Sequence, residues 1–119
     1  MQQLAENVHQ LKGWPKNAIN VYLLGDVLVD AAPRQEQKRI MRQIAGRTVS
    51  AHALTHVHPD HQGSSHAICE QLGMPLWCGR GDVPAMEVPG SVIARGDVHD
   101  ALVIGLAKGR GYAVVLVAP

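Results

Sequence analysis

Apolar residues occur along this chain in short extended runs and in helical stripes, and polar or glycine-rich turns separate them. The extended runs are three to seven residues long and rich in Val, Leu, Ile and Ala, which is typical of strands. We therefore predict strands over residues 7–11, 18–24, 27–29, 48–54 and 76–78. Gly25 and Asp26 lie between the second and third of these strands and favour a two-residue hairpin turn.

Two segments have the spacing of amphipathic helices, each with a glycine just after its last turn. We predict helices over residues 34–45 and 61–72 and a short helical turn over 83–87. The buried stripes should be Ile40, Met41 and Ile44 in the first helix, and Ser65, Ile68 and Leu72 in the second. Pro33 would open the first helix, and Gly46 and Gly73 would end the two helices.

The alternation of strands and helices predicts an α/β fold with helices packed on a sheet. The composition changes near residue 90, so we divide the chain into a domain over residues 1–95 and an atypical apolar and glycine-rich tail over 96–119. The tail holds two apolar runs, 101–104 and 112–117, which we interpret as buried strands. The glycine stretch between them lacks the Gly-Lys-Ser/Thr of a phosphate-binding loop and favours a hairpin connection.

Bulk composition limits the classes of protein that fit. The chain has 119 residues, of which 46% are hydrophobic and 18% charged, with a net charge of +1. These values indicate one globular domain and give no electrostatic reason to expect nucleic acid or an anionic membrane as a partner. No apolar run is long enough to cross a bilayer, and the N-terminus has no signal-peptide pattern, so we expect a cytoplasmic protein. Cys69 and Cys78 are then expected to be packed, reduced thiols.

Candidate chemistry is concentrated in one segment, Thr55-His56-Val57-His58-Pro59-Asp60-His61. Imidazole and carboxylate groups are ligands of zinc and similar ions. Residues two apart in an extended chain point the same way, so His56 and His58 can reach one ion together. Asp60 and His61 would lie in the first turn of the next helix and face the same space. The alternative is a polar loop with surface histidines.

This HxHxDH pattern, placed after a strand and before a helix, resembles the signature of the metallo-β-lactamase superfamily of hydrolases. Residues 20–30 are similar to the early hairpin of that family, which ends in an aspartate, and residues 62–65 resemble the small-residue helix start after the motif. The likeness covers roughly residues 4–90. It implies the first half of an αββα sandwich, a mixed sheet with helices on one face, in a chain that looks truncated.

The resemblance also implies a site and a reaction. His56 and His58 would bind a first ion, and Asp60 and His61 a second one. The ion would be zinc, in one or two copies, with iron or manganese as alternatives, and a metal-bound hydroxide would attack an ester, thioester, lactam or phosphoester of a small-molecule substrate. With one ion, Asp60 would orient or deprotonate the attacking water as a catalytic residue. Asp30 would align the metal ligands, while Thr55 would bond nearby backbone or simply be a β-branched strand residue.

The family takes its remaining ligands from its second half, and those segments are not found in this sequence. His99, with Asp97 or Asp100, is a substitute third ligand or part of a polar turn, and we expect His66 to face away from the site. We expect His9 and His52 to have structural or surface roles. Three explanations compete: a reading frame that is cut or shifted near residue 95, which we favour, a second copy or another chain that covers the exposed sheet face, and a tail that folds back and closes a smaller core. The alternative function is accordingly a non-catalytic metal-binding or interaction module that pairs with another chain or self-associates through that face.

Overall fold

The computed structural model of the protein describes residues 1–84 and 114–117. Its described strands form one mixed sheet in the order β1-β2-β3-β4-β5-β6-β7. The strands are β1 (Gln2–Ala5), β2 (Val8–Gln10), β3 (Tyr22–Leu24), β4 (Val27–Val29), β5 (Ala51–Ala53), β6 (Leu76–Gly79) and β7 (Val114–Val117). The helices are α1 (Gln37–Ile44), α2 (Pro59–Gln62) and α3 (Ser65–Leu72), with 3-10 turns at Arg34–Glu36 and Arg80–Asp82.

The first four strands are antiparallel and the last four are parallel, so the sheet changes character at β4. β1 to β4 pair as an antiparallel meander, whereas β4, β5, β6 and β7 pair in parallel. Parallel neighbours require crossover connections, and α1 and the α2–α3 segment supply the first two. Consecutive crossovers of the same handedness place their helices on the same face of the sheet, and α1 and α3 contact each other on that face. The predicted α/β class is thus confirmed, and the carboxyl ends of β4, β5 and β6 share one edge of the sheet.

The hairpin between β3 and β4 follows the sequence pattern closely. Leu24 pairs with Val27, which leaves Gly25 and Asp26 as a two-residue loop. Gly25 has a φ of 60°, a conformation that glycine adopts without the steric cost of a Cβ atom. β1 was not predicted, because its Gln-Gln-Leu-Ala sequence shows no alternation and all four residues are exposed at the sheet edge. β2, β3 and β5 are shorter than predicted, since their outer residues continue into loops, whereas β4 spans the predicted residues 27–29 and β6 extends one residue beyond 76–78.

The prediction of one continuous helix over residues 61–72 is wrong. The segment folds as α2 and α3, with a break at Gly63 and Ser64. Ser64 explains the break, because its hydroxyl donates to the Pro33 carbonyl at 2.9 Å and its backbone N–H donates to the Ala32 carbonyl at 3.3 Å. The chain therefore satisfies these groups by tertiary hydrogen bonds and leaves the helical ladder for one turn. Gly73 ends α3 with a φ of 64°, as expected for a left-handed cap.

The core lies between the helical face of the sheet and the buried sides of α1 and α3. Leu23, Leu28 and Leu76 contribute from the strands, and Ile40 and Ile68 from the helices. Met41 is partly buried and packs against this core, as its stripe predicts.

One predicted core position is wrong. Leu72 is 39% exposed, and Cys69 is buried in its place. α3 thus buries positions 65, 68 and 69, an i, i+3, i+4 stripe that a 3.6-residue period favours over i+7 in so short a helix.

Cys69 and Cys78 are both buried, as expected, and no disulfide joins them. Burial raises the pKa of the Cys69 thiol to about 12, which makes it inert as a nucleophile. β7 confirms a strand within the predicted apolar run 112–117, while residues 85–87, 101–111 and the polar segment 96–100 lie outside the described residues. Across residues 1–84 and 114–117, no helix is long and apolar enough to cross a membrane.

Candidate metal centre

The motif lies at the carboxyl end of β5, beside the segment that leaves β4. Asp30 follows β4 directly, and residues 55–61 follow β5 after Leu54. Two backbone hydrogen bonds join these segments: Asp30 N–H donates to the Ala53 carbonyl at 2.8 Å, and Ala31 N–H donates to the His61 carbonyl at 2.7 Å. Carboxyl ends of parallel strands are the usual place for a site in an α/β fold, since the loops there converge.

Three of the predicted ligands form a compact group. His56, His58 and Asp60 each offer one ligand atom, and these atoms lie within 4.8 Å of one another. The rings of His56 and His58 meet edge to face, with centroids 4.9 Å apart, so extended backbone does bring these alternate residues together. The Asp60 side chain is 49% exposed, which leaves an approach from solvent. Two imidazoles and one carboxylate suit zinc, iron or manganese, so the residues present fit such an ion.

His61 lies next to this group on its inner side. Its ring centroid is 3.9 Å from that of His56, and its Nε2 is 3.5 Å from Asp60 Oδ2. The short helix α2, which begins at Pro59 after an extended His58, carries both Asp60 and His61. Gln62 supports the turn from below, because its buried side chain donates to the Val57 carbonyl at 2.6 Å. The structure therefore brings all four predicted ligand residues together, and their roles as ligands stay predictions.

Asp30 organises the site through its carboxylate, and its side chain is only 5% exposed. Oδ1 accepts the backbone N–H of Thr55 at 2.8 Å. Oδ2 accepts the Thr55 hydroxyl at 2.7 Å and Nδ1–H of His61 at 2.9 Å. Asp30 itself has a φ of 61°, a left-handed conformation that aspartate tolerates better than most residues and that turns the chain out of β4. One carboxylate thus holds groups from both segments of the site.

This network also decides which nitrogen of each ring can bind a cation. His61 donates Nδ1–H to Asp30, so its Nε2 keeps the lone pair. The single hydroxyl proton of Thr55 goes to Asp30, so the 3.0 Å contact between Thr55 Oγ1 and His56 Nδ1 has the ring as donor. His56 therefore also presents the lone pair of Nε2. Asp30 sets the tautomer of His61 directly and that of His56 through Thr55. Histidines that bind metal ions often have such a hydrogen-bond partner on their other ring nitrogen.

Thr55 is the residue that sequence reasoning did not resolve. We expected either a backbone hydrogen bond or a β-branched strand residue, and the structure places its hydroxyl on the Asp30 carboxylate and against the His56 ring. Thr55 and Asp30 are 25 positions apart, so no local spacing reveals their contact. A hydroxyl residue directly before the first histidine is the only signal in the sequence that points to it.

The remaining described histidines lie outside the cluster. His52 is completely buried, with Nδ1 at 2.9 Å from the Leu28 carbonyl and Nε2 at 2.7 Å from Ser65 Oγ. Desolvation by burial lowers the pKa of His52 to about 4, so the neutral ring donates from Nδ1 to Leu28 and accepts the Ser65 hydroxyl at Nε2. His66 forms a pair with Glu70 at 3.2 Å and is not in the ligand group. His99, Asp97 and Asp100 lie outside the described residues.

Comparison with known proteins assigns the class of this fold and site. The family model of the metallo-beta-lactamase superfamily matches residues 14–115, which is most of the chain. The protein therefore belongs to the metallo-beta-lactamase superfamily. The match continues past residue 95 and so includes much of the segment that the composition set apart as a tail. No curated protein matches the chain significantly.

Solved structures of similar fold include several beta-lactamases. A subclass B3 metallo-beta-lactamase of Bradyrhizobium japonicum has 29% identity and a TM-score of 0.64, and the alignment covers 75% of this chain and 37% of that one. A class B3 di-zinc metallo-beta-lactamase from an Alaskan soil metagenome has 21% identity, a TM-score of 0.65 and coverages of 75% and 36%. A beta-lactamase from Chitinophaga pinensis has 15% identity and a TM-score of 0.65, covering 98% of this chain and 42% of that one. The chain thus spans well under half the length of these relatives.

Proposed function

We propose that the protein is a metal-dependent hydrolase whose ion is held by His56, His58 and Asp60. The observation that carries this proposal is the convergence of their ligand atoms within 4.8 Å at the carboxyl end of β5. Membership of a superfamily of hydrolases supports it. A set of three protein ligands with one open side is typical of catalytic zinc sites, whereas structural zinc is usually enclosed by four.

Each residue contributes a defined part of the chemistry. His56 would bind through Nε2, because Thr55 occupies its Nδ1 side, and Asp30 supports that arrangement with a buried negative charge. His61 also presents Nε2 beside Asp60 and would serve a second ion if one is bound. When bound, zinc lowers the pKa of water and polarises a carbonyl or phosphoryl oxygen of the substrate. The solvent-facing side of Asp60 is the approach by which a substrate would enter.

Asp60 has two possible duties, which one substitution separates. As a ligand it would hold the ion, and as a general base it would orient or deprotonate water at the cluster. Asp60→Asn abolishes hydrolysis in either case. Loss of bound metal in this variant would assign it as a ligand, whereas retained metal with lost hydrolysis would assign it as the base.

The substrate class follows from the superfamily and not from the geometry alone. We propose a small molecule with an ester, thioester, lactam or phosphoester bond, and a β-lactam is one such compound because the relatives are beta-lactamases. The alignment covers 37% of the first of these relatives. Further ligands and most of the substrate pocket would come from the part of the fold that this alignment does not cover.

The experiment begins with the metal content of the purified protein, measured by mass spectrometry. We expect zinc, iron or manganese at one or two ions per chain, and a large loss of metal in the double variant His56→Ala/His58→Ala. His9→Ala is the matched control, since His9 lies on β2, outside the ligand group. Hydrolysis is then assayed with a lactam, a lactone, a thioester and a phosphodiester. A folded protein that binds none of these metals would refute the proposal.

A specific feature of the sheet supports a second candidate, a metal-binding module that pairs with another chain or with a second copy. The face opposite the helices carries a continuous set of apolar, partly exposed side chains: Tyr22, Leu24, Val27, Val29, Ala51, Ala53 and Trp77. Exposed apolar patches of this kind are typical of interfaces. Sedimentation velocity over a range of concentrations tests it: self-association without turnover supports the module, and a monomer that hydrolyses a substrate supports the enzyme.

A further inference from the structure

A pocket opens at the same end of the sheet as the metal centre. Its volume is about 390 Å³, and its walls include Gln2, Gln10, Leu11, Lys12, Lys16 and Asn17. The strand register fixes its position. Gln2 pairs with Gln10, Gln10 with Tyr22, Tyr22 with Val29, and Val29 with Ala53, so these residues form one row across the sheet.

The same row ends next to the segments that carry the metal centre. Asp30 is the residue after Val29, and Thr55 is two residues after Ala53. β2 is two strands from β4, so the pocket lies roughly 10 Å along the sheet edge from Asp30 at the usual spacing between strands. The cluster follows β5, one strand further on, so a small molecule roughly 15 Å long can reach from a reacting bond at the cluster to this pocket.

The pocket is cationic. Lys12 and Lys16 are both exposed, and neither forms an ion pair with a carboxylate of the described residues. Two ammonium groups that pair with no carboxylate of residues 1–84 provide donors and a positive potential that suit an anion.

The backbone of the pocket is held in place by several side chains. Gln43 on α1 accepts the Lys12 N–H at 2.6 Å and donates to the Lys12 carbonyl at 2.9 Å. The Gln10 amide donates to Asn20 at 2.7 Å and to Asn17 at 3.3 Å. These contacts hold the backbone of Lys12 and connect Asn17, the residue after Lys16, to β2. Such preorganisation reduces the entropy lost when a ligand is bound.

We propose that Lys12 and Lys16 form a subsite for an anionic group, a carboxylate or a phosphate, on a small-molecule ligand. As a substrate subsite it rests on the proposed hydrolase function, but anion binding itself does not require catalysis. Because the cluster follows β5, three strands from β2, the subsite would favour substrates that carry a negative charge roughly 15 Å from the bond that is cleaved.

Binding is tested on the protein as purified, with succinate as the carboxylate probe and inorganic phosphate as the phosphate probe. Amide shifts of Gln10, Lys12 and Lys16 in two-dimensional NMR report occupancy, and the fluorescence of Trp14, which is 75% exposed between the two lysines, gives an independent signal. We expect saturable binding of at least one anion at millimolar concentrations. Saturation by only one of them identifies which group the subsite accepts.

The double variant Lys12→Gln/Lys16→Gln keeps the length of both side chains and removes both charges. We expect it to weaken binding about ten-fold or more, the range for losing charge-assisted hydrogen bonds. Lys38→Gln on α1 is the matched control and should bind like the original protein. Absence of saturable binding by both anions, or equal binding by the double variant, overturns the subsite. Metal content is unaffected by these changes, so failure of the subsite and failure of the hydrolase proposal are distinguished.

Discussion

Acidification should destabilise this fold through one buried ring, that of His52. The ring is fully buried and bridges three elements, because it bonds the Leu28 carbonyl of β4 and the Ser65 hydroxyl of α3 from its place on β5. Its pKa is about 4 in the folded protein and near 6.5 when exposed. Protonation would put a charge into the core and would remove the acceptor that Ser65 uses, so the fold favours the neutral ring.

The sign and size of the effect follow from proton linkage. Between pH 6.5 and about 4 the unfolded chain binds a proton at this position that the folded chain does not. The contribution of His52 is therefore complete above pH 6.5 and falls as the pH decreases towards 4. Each pH unit in that interval removes about 1.4 kcal/mol, for a total of about 3 kcal/mol, which is a large part of the stability of a small domain.

The assay is chemical denaturation at several pH values across this interval, for the original protein and for His52→Asn. The asparagine amide can still donate to Leu28 but does not titrate, so its free energy of unfolding should depend less on pH by the amount above. Histidines of the metal cluster contribute equally to both proteins, and the difference isolates His52. His9→Asn is the matched control and should keep the original slope.

Two results would refute this reasoning. One is an equal pH slope for the original protein and His52→Asn. The other comes from NMR of the original protein alone, which remains usable if the variant fails to fold: a His52 ring that titrates near 6.5 in the folded state, or that carries its proton on Nε2, contradicts the hydrogen bonds on which the prediction rests.

Further substitutions test the metal site, the end of α3 and the loop at Lys12. Asp30→Asn should lower metal affinity about 10- to 100-fold in chelator competition, because the amide cannot accept all three hydrogen bonds. Thr55→Val should lower it less. Metal affinity equal to that of the original protein in both variants would contradict the network. Gly73→Ala should reduce the free energy of unfolding by about 1 kcal/mol in urea denaturation. Gly73 has a φ of 64° and open space around it, so only the backbone conformation opposes the added methyl group. An unchanged urea midpoint would contradict this. Gln43→Ala should increase amide exchange at Lys12 without changing metal content, and unchanged exchange would show that Gln43 does not hold the loop.

The sequence pattern alone was enough to predict those elements that depend only on residues close together in the chain. The hairpin at Gly25 and the end of α3 at Gly73 were predicted because a left-handed backbone favours glycine whatever the surroundings. The α/β class followed from alternating strands and helices. The convergence of His56 and His58 was predicted because an extended chain places alternate residues on one side, and that of Asp60 because it lies in the first turn of the helix that follows; neither needs a distant partner.

Tertiary structure decided whatever depends on residues far apart in the chain. The break between α2 and α3 results from the bonds of Ser64 to the segment after β4, and Leu72 is exposed because Cys69 occupies the buried position. The contact of Asp30 with Thr55, which sets the tautomers at the site, spans 25 residues. The row from Gln10 to Ala53, which relates the cationic pocket to the metal centre, exists only once the strands are paired, since register across a sheet is determined by packing between strands and not by the sequence of any one of them.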